Sequence, residues 1–455
     1  MNIEEARIQA KALFNAMGIS GPAEPHPYFT SGATKRQPRE IILRMIEAAA
    51  SIKVPSSCKV DVHVMVFSFT DSLIFSALKQ ISSSESQNSN VCVRILTDWC
   101  QGGPGSKRLL TEHESRPGRL EIKYKLDYPY YFCETTNSLI WSYKHSKGLL
   151  HHKMLSININ GIPIAMISGS YNWTTRAREA SYENIVLISC LTSSQLYAMY
   201  NYEREFRQYW SQVDASVTKE QCKEIYYALG EYLKGKVSSH EVTSAVNNDQ
   251  QCFILPVHLQ TELGKIEDTN SKCRLAFSYT SCTLNGIGKS HNGICPINQA
   301  QRFPLTKPSM RTKNVPLTLS MLSLDLINRS RRGHVVLIAM FGFSSRIAEY
   351  DAILNAVKRG VSAFILVDRR ASRSFVAKHR VKQIDGVSIK FSAKYMHQKY
   401  IVCPQLKSLA VGTANLTSDS LYRHSESRFL FNDEPRLVDE FVKDFNRIWA
   451  KGRDI

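Results

Sequence analysis

Nowhere in the 455-residue sequence is there a run of about 18 apolar residues, the length a helix needs to cross a bilayer. The eleven cysteines form no C-x-x-C pair and are odd in number. A disulfide framework is therefore not expected, and a reducing compartment is. Cys252, Cys273, Cys282 and Cys295 gather near His291, but at irregular spacings. Zinc sites space their ligands more regularly, so these cysteines read as buried free thiols, and neither metal nor other cofactor is expected. The first 18 residues read as an amphipathic helix with acidic residues at its start. They lack the basic-then-apolar layout of a signal peptide, which points to the cytoplasm and leaves non-classical export open. Acidic residues are also in short supply: 40 Asp and Glu stand against 58 Lys and Arg, a net charge of +18. Such a surplus favours an anionic partner, either nucleic acid or an anionic membrane surface.

What the sequence does have is one pattern written twice. His151-His152-Lys153 leads to Gly169-Ser170-Tyr171-Asn172, and His397-Gln398-Lys399 leads to Gly412-Thr413-Ala414-Asn415. Glu183 stands eleven places after Asn172, and Glu426 eleven after Asn415. Two halves that each bring histidine, lysine, hydroxyl, asparagine and glutamate suggest one assembled site. These groups suit attack on a phosphodiester. A neutral imidazole is a nucleophile, and a second, protonated imidazole is an acid for the departing oxygen. Lysine and asparagine supply charge and N–H donors where negative charge builds. A carboxylate on the far ring nitrogen fixes the tautomer. No step of this chemistry calls for a metal. Strand alternation predicts that the histidine and lysine of each H-x-K share a face.

At these residues the chain resembles the phospholipase D superfamily, with its H-x-K-x4-D and G-[SG]-x-N signature, the HKD motif. The resemblance covers residues 39–190 and 314–433. It departs at the aspartate, which is Asn158 in the first copy and Pro404 in the second; tyrosyl-DNA phosphodiesterases are similar in lacking it. Asn172-Trp173-Thr174 and Asn415-Leu416-Thr417 resemble the contexts of Nuc-type and Zucchini-type nucleases rather than that of cardiolipin synthases. The resemblance implies two similar α/β lobes on a pseudo-two-fold axis, with the site in the cleft and the chain active as a monomer. It implies His151 as nucleophile and His397 as general acid, with the reverse assignment open. Lys153, Lys399, Asn172 and Asn415 would hold the phosphoryl oxygens, helped by Ser170 and Thr413, and Glu183 and Glu426 would orient the histidines.

The duplication extends beyond the motifs. Residues 59–69 and 334–343 read as buried strands, each between helices expected at 39–50 and 71–80, and at 317–328 and 348–359. Further strands are expected at 91–97 and 361–367, and at 120–126 and 387–393. Strands alternating with helices argue for an α/β sheet in each lobe. Phe67 and Phe341 hold equivalent places and read as core packing. The expected organisation is a first lobe at 1–211, a connecting segment at 212–313 and a second lobe at 314–455. Within the connection, 220–234 reads as helix, 235–250 as linker, 252–257 and 274–279 as candidate strands of the second lobe, and 286–308 as a long loop.

Two segments are candidates for holding substrate. Residues 127–147 interleave Trp141 and Tyr143 with Lys144 and Lys147, a mixture that suits single-stranded nucleic acid or a membrane interface. Arg369, Arg370 and Arg373 lie just upstream of the second motif. The expected function is a phosphodiesterase, foremost a nuclease on DNA or RNA. The alternatives are a phospholipase D or phosphatidyl transferase on anionic membranes, and an inactive module that binds nucleic acid or another partner.

Overall fold

The computed structural model describes residues 1–32, 37–55, 57–83, 90–98, 119–125, 130–133, 138–141, 149–211, 217–218, 272–278, 319–381, 384–422 and 424–455. The first half holds β1 (His26–Phe29), β2 (Val60–Val66), β3 (Val91–Asp98), β4 (Leu120–Lys125), β5 (Tyr130–Cys133), β6 (Ser138–Trp141), β7 (Lys153–Ile159), β8 (Ile162–Gly169), β9 (Ser181–Tyr182), β10 (Asn184–Ser189) and β11 (Val217–Thr218). The second holds β12 (Cys273–Phe277), β13 (Val335–Met340), β14 (Ser362–Val367), β15 (Val387–Phe391), β16 (Tyr395–Met396), β17 (Lys399–Cys403), β18 (Ser408–Gly412), β19 (Ser427–Phe431) and β20 (Arg453–Asp454).

These strands build two eight-stranded sheets, in the orders β1-β10-β8-β7-β2-β3-β4-β11 and β12-β19-β18-β17-β13-β14-β15-β20. The orders match strand for strand. So do the senses: β2–β3–β4 and β13–β14–β15 run parallel, and the remaining pairs are antiparallel. The fold is thus two similar α/β lobes. Central strands such as β2 (VDVHVMV) and β13 (VVLIAM) are rich in β-branched residues and almost wholly buried, as strands covered on both faces are. Helix Pro38–Ser51 starts on a proline, and Asp71 caps helix Ser72–Ile81 by accepting from the Leu73 and Ile74 N–H groups.

As expected for 274–279, Cys273–Phe277 joins the second lobe, at the edge of its sheet, while Val217–Thr218, for which no strand was expected, joins the edge of the first. A short edge strand carries little periodicity of its own, so its sheet is set by its partner. The helix expected at 220–234, the linker at 235–250, the strand at 252–257 and the loop at 286–308 lie outside the described residues.

The lobes share a core. Phe277, Tyr400 and Phe429 of the second lobe belong to the same buried cluster as Met154, Ile167 and Tyr202 of the first. A second cluster, including Leu322, Ile338, Ile365 and Ile401, fills the far face of the second sheet. Among the described residues no helix is long and apolar enough to cross a membrane.

Candidate active site

Each H-x-K straddles the start of a strand. His151 and His152 precede β7, His397 and Gln398 precede β17, and both strands open on the lysine. The histidines are therefore not strand residues, which corrects the alternation argument. The pairing of histidine with lysine has another cause: Lys153 Nζ donates to the His151 carbonyl at 2.6 Å. Lys399 Nζ makes the same bond to the His397 carbonyl.

The decisive geometry is a crossing between lobes. β9 and β16 pair in parallel, Tyr395 opposite Ser181 and Met396 opposite Tyr182, and the His397 N–H donates to the Tyr182 carbonyl at 3.0 Å. On the other side Leu150 bridges Ser425 in parallel, and the His151 N–H donates to the Ser425 carbonyl at 2.9 Å. Each crossing delivers the next residue, a glutamate, to the histidine of the opposite lobe. His151 Nδ1 lies 2.9 and 3.0 Å from the Glu426 oxygens. His397 Nδ1 lies 2.8 and 2.9 Å from those of Glu183. With both Nδ1 atoms engaged, each ring keeps Nε2 for the cleft. The two ring centroids are 6.3 Å apart and nearly perpendicular.

The G-[S/T] pair of each motif makes these glutamate positions possible. A Cβ on Gly169 would stand 2.3 Å from the Asn184 carbonyl oxygen, and one on Gly412 would stand 2.2 Å from that of Ser427. Only glycine lets the strand carrying the glutamate approach so closely. The hydroxyl that follows ties the same place together. Ser170 Oγ accepts from the Asn184 N–H at 2.9 Å and donates to Glu183 at 2.6 Å. Thr413 Oγ1 accepts from the Ser427 N–H at 2.9 Å, and Ser420 Oγ donates to Glu426 at 3.0 Å. Helix Ser193–Ser211 clasps the second lobe through Tyr202 and Tyr209, which bond the Ser427 and Ser425 hydroxyls at 2.9 and 2.6 Å.

The site is almost dry. His151 is 8 % exposed and His397 6 %, while Lys153, Lys399, Glu183 and Glu426 are at 2 % or less. Burial, resisted by Glu426 and Glu183, lowers Lys153 to about 7, and burial against the same two carboxylates lowers Lys399 to about 8. Burial also carries His151 well below its ordinary value, with both lysines, His424 and His397 adding to the effect. His397 is lowered as well, first by burial, but there Glu183 pulls the other way. Burial raises Glu426.

Asn415 Oδ1 accepts from the Gly342 N–H at 3.2 Å, next to Phe341, which leaves its amide donors over. Asn172 Oδ1 is buried without a hydrogen-bond partner. Arg369, Arg370 and Arg373 line a cavity of about 940 Å³ together with Arg176, Lys394, Tyr395 and Arg453. Trp141 closes β6, whereas Tyr143, Lys144 and Lys147 lie outside the described residues. Cys273 is a buried free thiol in β12; Cys252, Cys282, Cys295 and His291 also lie outside the described residues.

Several residues at the site were not singled out for it by the sequence. Phe67 lies 5.4 Å from the His151 ring and 5.7 Å from Lys153 Nζ; Phe341 lies 5.2 Å from His397 and 5.4 Å from Lys399 Nζ. Their equivalent places after β2 and β13 were the available signal, so the core-packing reading of this pair is corrected. Tyr395 stacks on His397 at 5.8 Å and 15°. The ring of His424 is 6.2 Å from that of His151, its Nδ1 accepting from the Leu149 N–H at 2.9 Å. No motif marks His424; tertiary folding alone brings it there.

The positions of the missing aspartates lie at the far ends of the strands. Asn158 Nδ2 donates to Glu203 at 3.0 Å and to Ser156 at 3.2 Å, beside a His63–Glu203 pair at 2.7 Å. Pro404 starts a turn, Pro404–Leu406, that ends β17 two residues shorter than β7.

The model of a family described as the phospholipase D-like domain of cardiolipin synthase matches residues 52–210 and 324–449, more than half of the chain. A search of curated protein sequences found no match. Among solved structures the chain is similar to phosphatidylserine synthase of Haemophilus influenzae, at 14% identity and a TM-score of 0.54, with 98% of this chain and 92% of that one covered. It is also similar to Nuc of Salmonella typhimurium, described as a phospholipase D family member, at 21% identity and a TM-score of 0.27, over 30% of this chain and 90% of that one. NucT of Helicobacter pylori gives 15% identity and a TM-score of 0.26, covering 30% of this chain and 91% of that one.

Proposed function

We propose that this chain, which belongs to the phospholipase D superfamily, hydrolyses nucleic-acid phosphodiesters through a covalent phosphohistidine. The observation that carries the chemistry is the facing pair of imidazoles, each held at Nδ1 by the other lobe's glutamate. His151 is the nucleophile, because burial and the neighbouring Lys153, Lys399 and His424 keep it neutral. His397 is the acid, because Glu183 opposes the loss of its proton. Lys153 and Lys399, with the asparagine amides, take the charge that builds on the phosphoryl oxygens. Water, deprotonated by His397, then attacks phosphorus and frees His151. The aspartate of the family pattern would stand at the far end of the strand, away from the imidazoles, whose Nδ1 atoms take their carboxylates from Glu426 and Glu183.

The basic cavity beside Tyr395 supports nucleic acid over lipid as substrate. The match to a cardiolipin synthase-type domain supports a second reading, phosphatidyl transfer or headgroup hydrolysis. One panel separates the two. Purified protein in EDTA is given labelled single- and double-stranded DNA, RNA and vesicles of phosphatidylglycerol, beside His151→Ala and His397→Ala. Cleavage of nucleic acid, lost in both variants, is the expected result. Headgroup release with nucleic acid intact would sink the nuclease reading.

A further inference from the structure

Resting on the nuclease reading above, we propose that the basic cavity beside His397 holds the part of a single-stranded nucleic acid that departs first, so that cavity and leaving group lie on the same side of the scissile bond. Displacement at phosphorus is in line, so the leaving oxygen points away from the attacking atom. With His151 attacking, that oxygen faces His397. From His397 the way outward is marked by Tyr395, whose ring stacks on the imidazole and also lines the cavity. Arg176 of the first lobe lies over the same tyrosine, 4.9 Å from its centroid. Both lobes therefore contribute to the cavity wall.

The cavity is built for a chain of negative charges. Arg176, Arg369, Arg370, Arg373, Lys394 and Arg453 line it, all on its exposed walls. The two carboxylates among the lining residues are already committed. Asp368 accepts the N–H groups of Arg370 and Ala371 at 2.9 and 3.0 Å, and Asp454 pairs with Lys390 at 3.6 Å. The cavity opens beyond the carboxyl ends of the parallel strands β14 and β15, where α/β sheets bind their ligands. Helix Arg373–Val381 contributes Arg373, Val376 and Ala377 to its wall. At about 940 Å³ it is near the top of the range for small-ligand pockets, more than a single phosphate fills. Guanidinium groups along an open wall suit an unpaired strand, since they neutralise its phosphates and their planes can stack on its bases.

A bond forms between His151 Nε2 and phosphorus, the bond from phosphorus to the departing oxygen breaks, and the His397 proton goes to that oxygen. The fragment in the cavity leaves with a hydroxyl end, and the other fragment stays on His151 as a phosphoramidate. A water molecule then gives its proton to His397 and its oxygen to phosphorus, while the bond from phosphorus to His151 Nε2 breaks and the retained fragment leaves with a phosphate end.

Single-stranded oligonucleotides labelled at either end are cut under rapid quench. The label released in the first turnover identifies the departing fragment, and the label retained on protein identifies the other. The KM of the wild type is expected to fall as nucleotides are added to the departing fragment and to stay level as they are added to the retained one. Arg370→Glu/Arg373→Glu is expected to remove that length dependence. It should also flatten the slope of log KM against log salt by about 1.4, from about 0.7 per phosphate contact for single strands. Arg453→Glu, on the far wall, is expected to remove half as much. Circular dichroism checks that each variant is folded. Length dependence carried by the retained fragment, or an unchanged salt slope in folded variants, overturns the inference while the nuclease reading stands. Oligonucleotides left whole while bis(4-nitrophenyl) phosphate or phosphatidylglycerol is turned over overturns both.

Discussion

A phosphodiester monoanion entering between the two rings meets two lysines and two glutamates, whose charges cancel, and two imidazoles. One proton on the imidazoles then balances the phosphate, which leaves one ring acid and the other nucleophilic. The direction of each pKa shift turns this into a pH dependence. His397 must carry a proton but is lowered from its ordinary value of 6.5, so its contribution falls as pH rises through the region below 6.5. Lys153, at about 7, and Lys399, at about 8, lose charge next. His151 must be neutral and is lowered well below 6.5, so the acid limb lies further down. All the losses above the optimum run one way. We expect kcat/KM to fall at least about tenfold between about pH 6 and 8, and the limb for kcat to lie at higher pH, because bound phosphate restores the protons. A pH–rate profile that climbs through pH 7 would contradict His397 as the acid. The main catalytic candidates were legible from the doubled motif. His424 and Tyr395 were not, because nothing local distinguishes a histidine or tyrosine that folding carries to a site from one that it does not.

At the scale of elements, the site depends on two close strand approaches. β10 passes Gly169 and β19 passes Gly412 at distances that no Cβ tolerates, and the obstruction in each case is backbone rather than a side chain able to turn aside. Gly169→Ala and Gly412→Ala are each expected to lower stability by about 1–3 kcal/mol, read as an earlier midpoint in urea. Each should also cut activity more than the stability loss accounts for, since Glu183 and Glu426 immediately precede the strands that must move. Equal midpoints in variant and parent would show that the sheet relaxes without cost. The strands themselves were legible, since β-branched runs such as 59–69 and 334–343 fold as β2 and β13. The partner of each glutamate was not. The motif spacing does not say which histidine each glutamate serves, and the crossings that carry the glutamates to the other lobe, one of two residue pairs and one of a single pair, are too short to show periodicity.

At the scale of the whole molecule, neither lobe owns a complete acid–base pair. Glu183→Gln should therefore cripple His397 while leaving His151 able to attack. With bis(4-nitrophenyl) phosphate, whose leaving group needs little protonation, the variant is expected to give a burst of nitrophenolate and a phosphoenzyme that persists. Peptide mapping should put the phosphate on His151, whereas Glu426→Gln should give no burst. Phosphate found on His397 would reverse the roles of the two histidines. The shared core that includes Tyr202, Phe277 and Phe429 makes the lobes one folding body as well as one catalytic one. The crossed pairing also sets a timetable. His151 and the carboxylate that serves it are 275 residues apart, so at about 5–20 residues per second a ribosome needs about 14–55 s to add the second after the first. Throughout that interval the nascent chain carries His151 without the carboxylate that orients it. On the proposed assignment of roles, the attacking imidazole is therefore set in place only after the second lobe has been made and has folded onto the first.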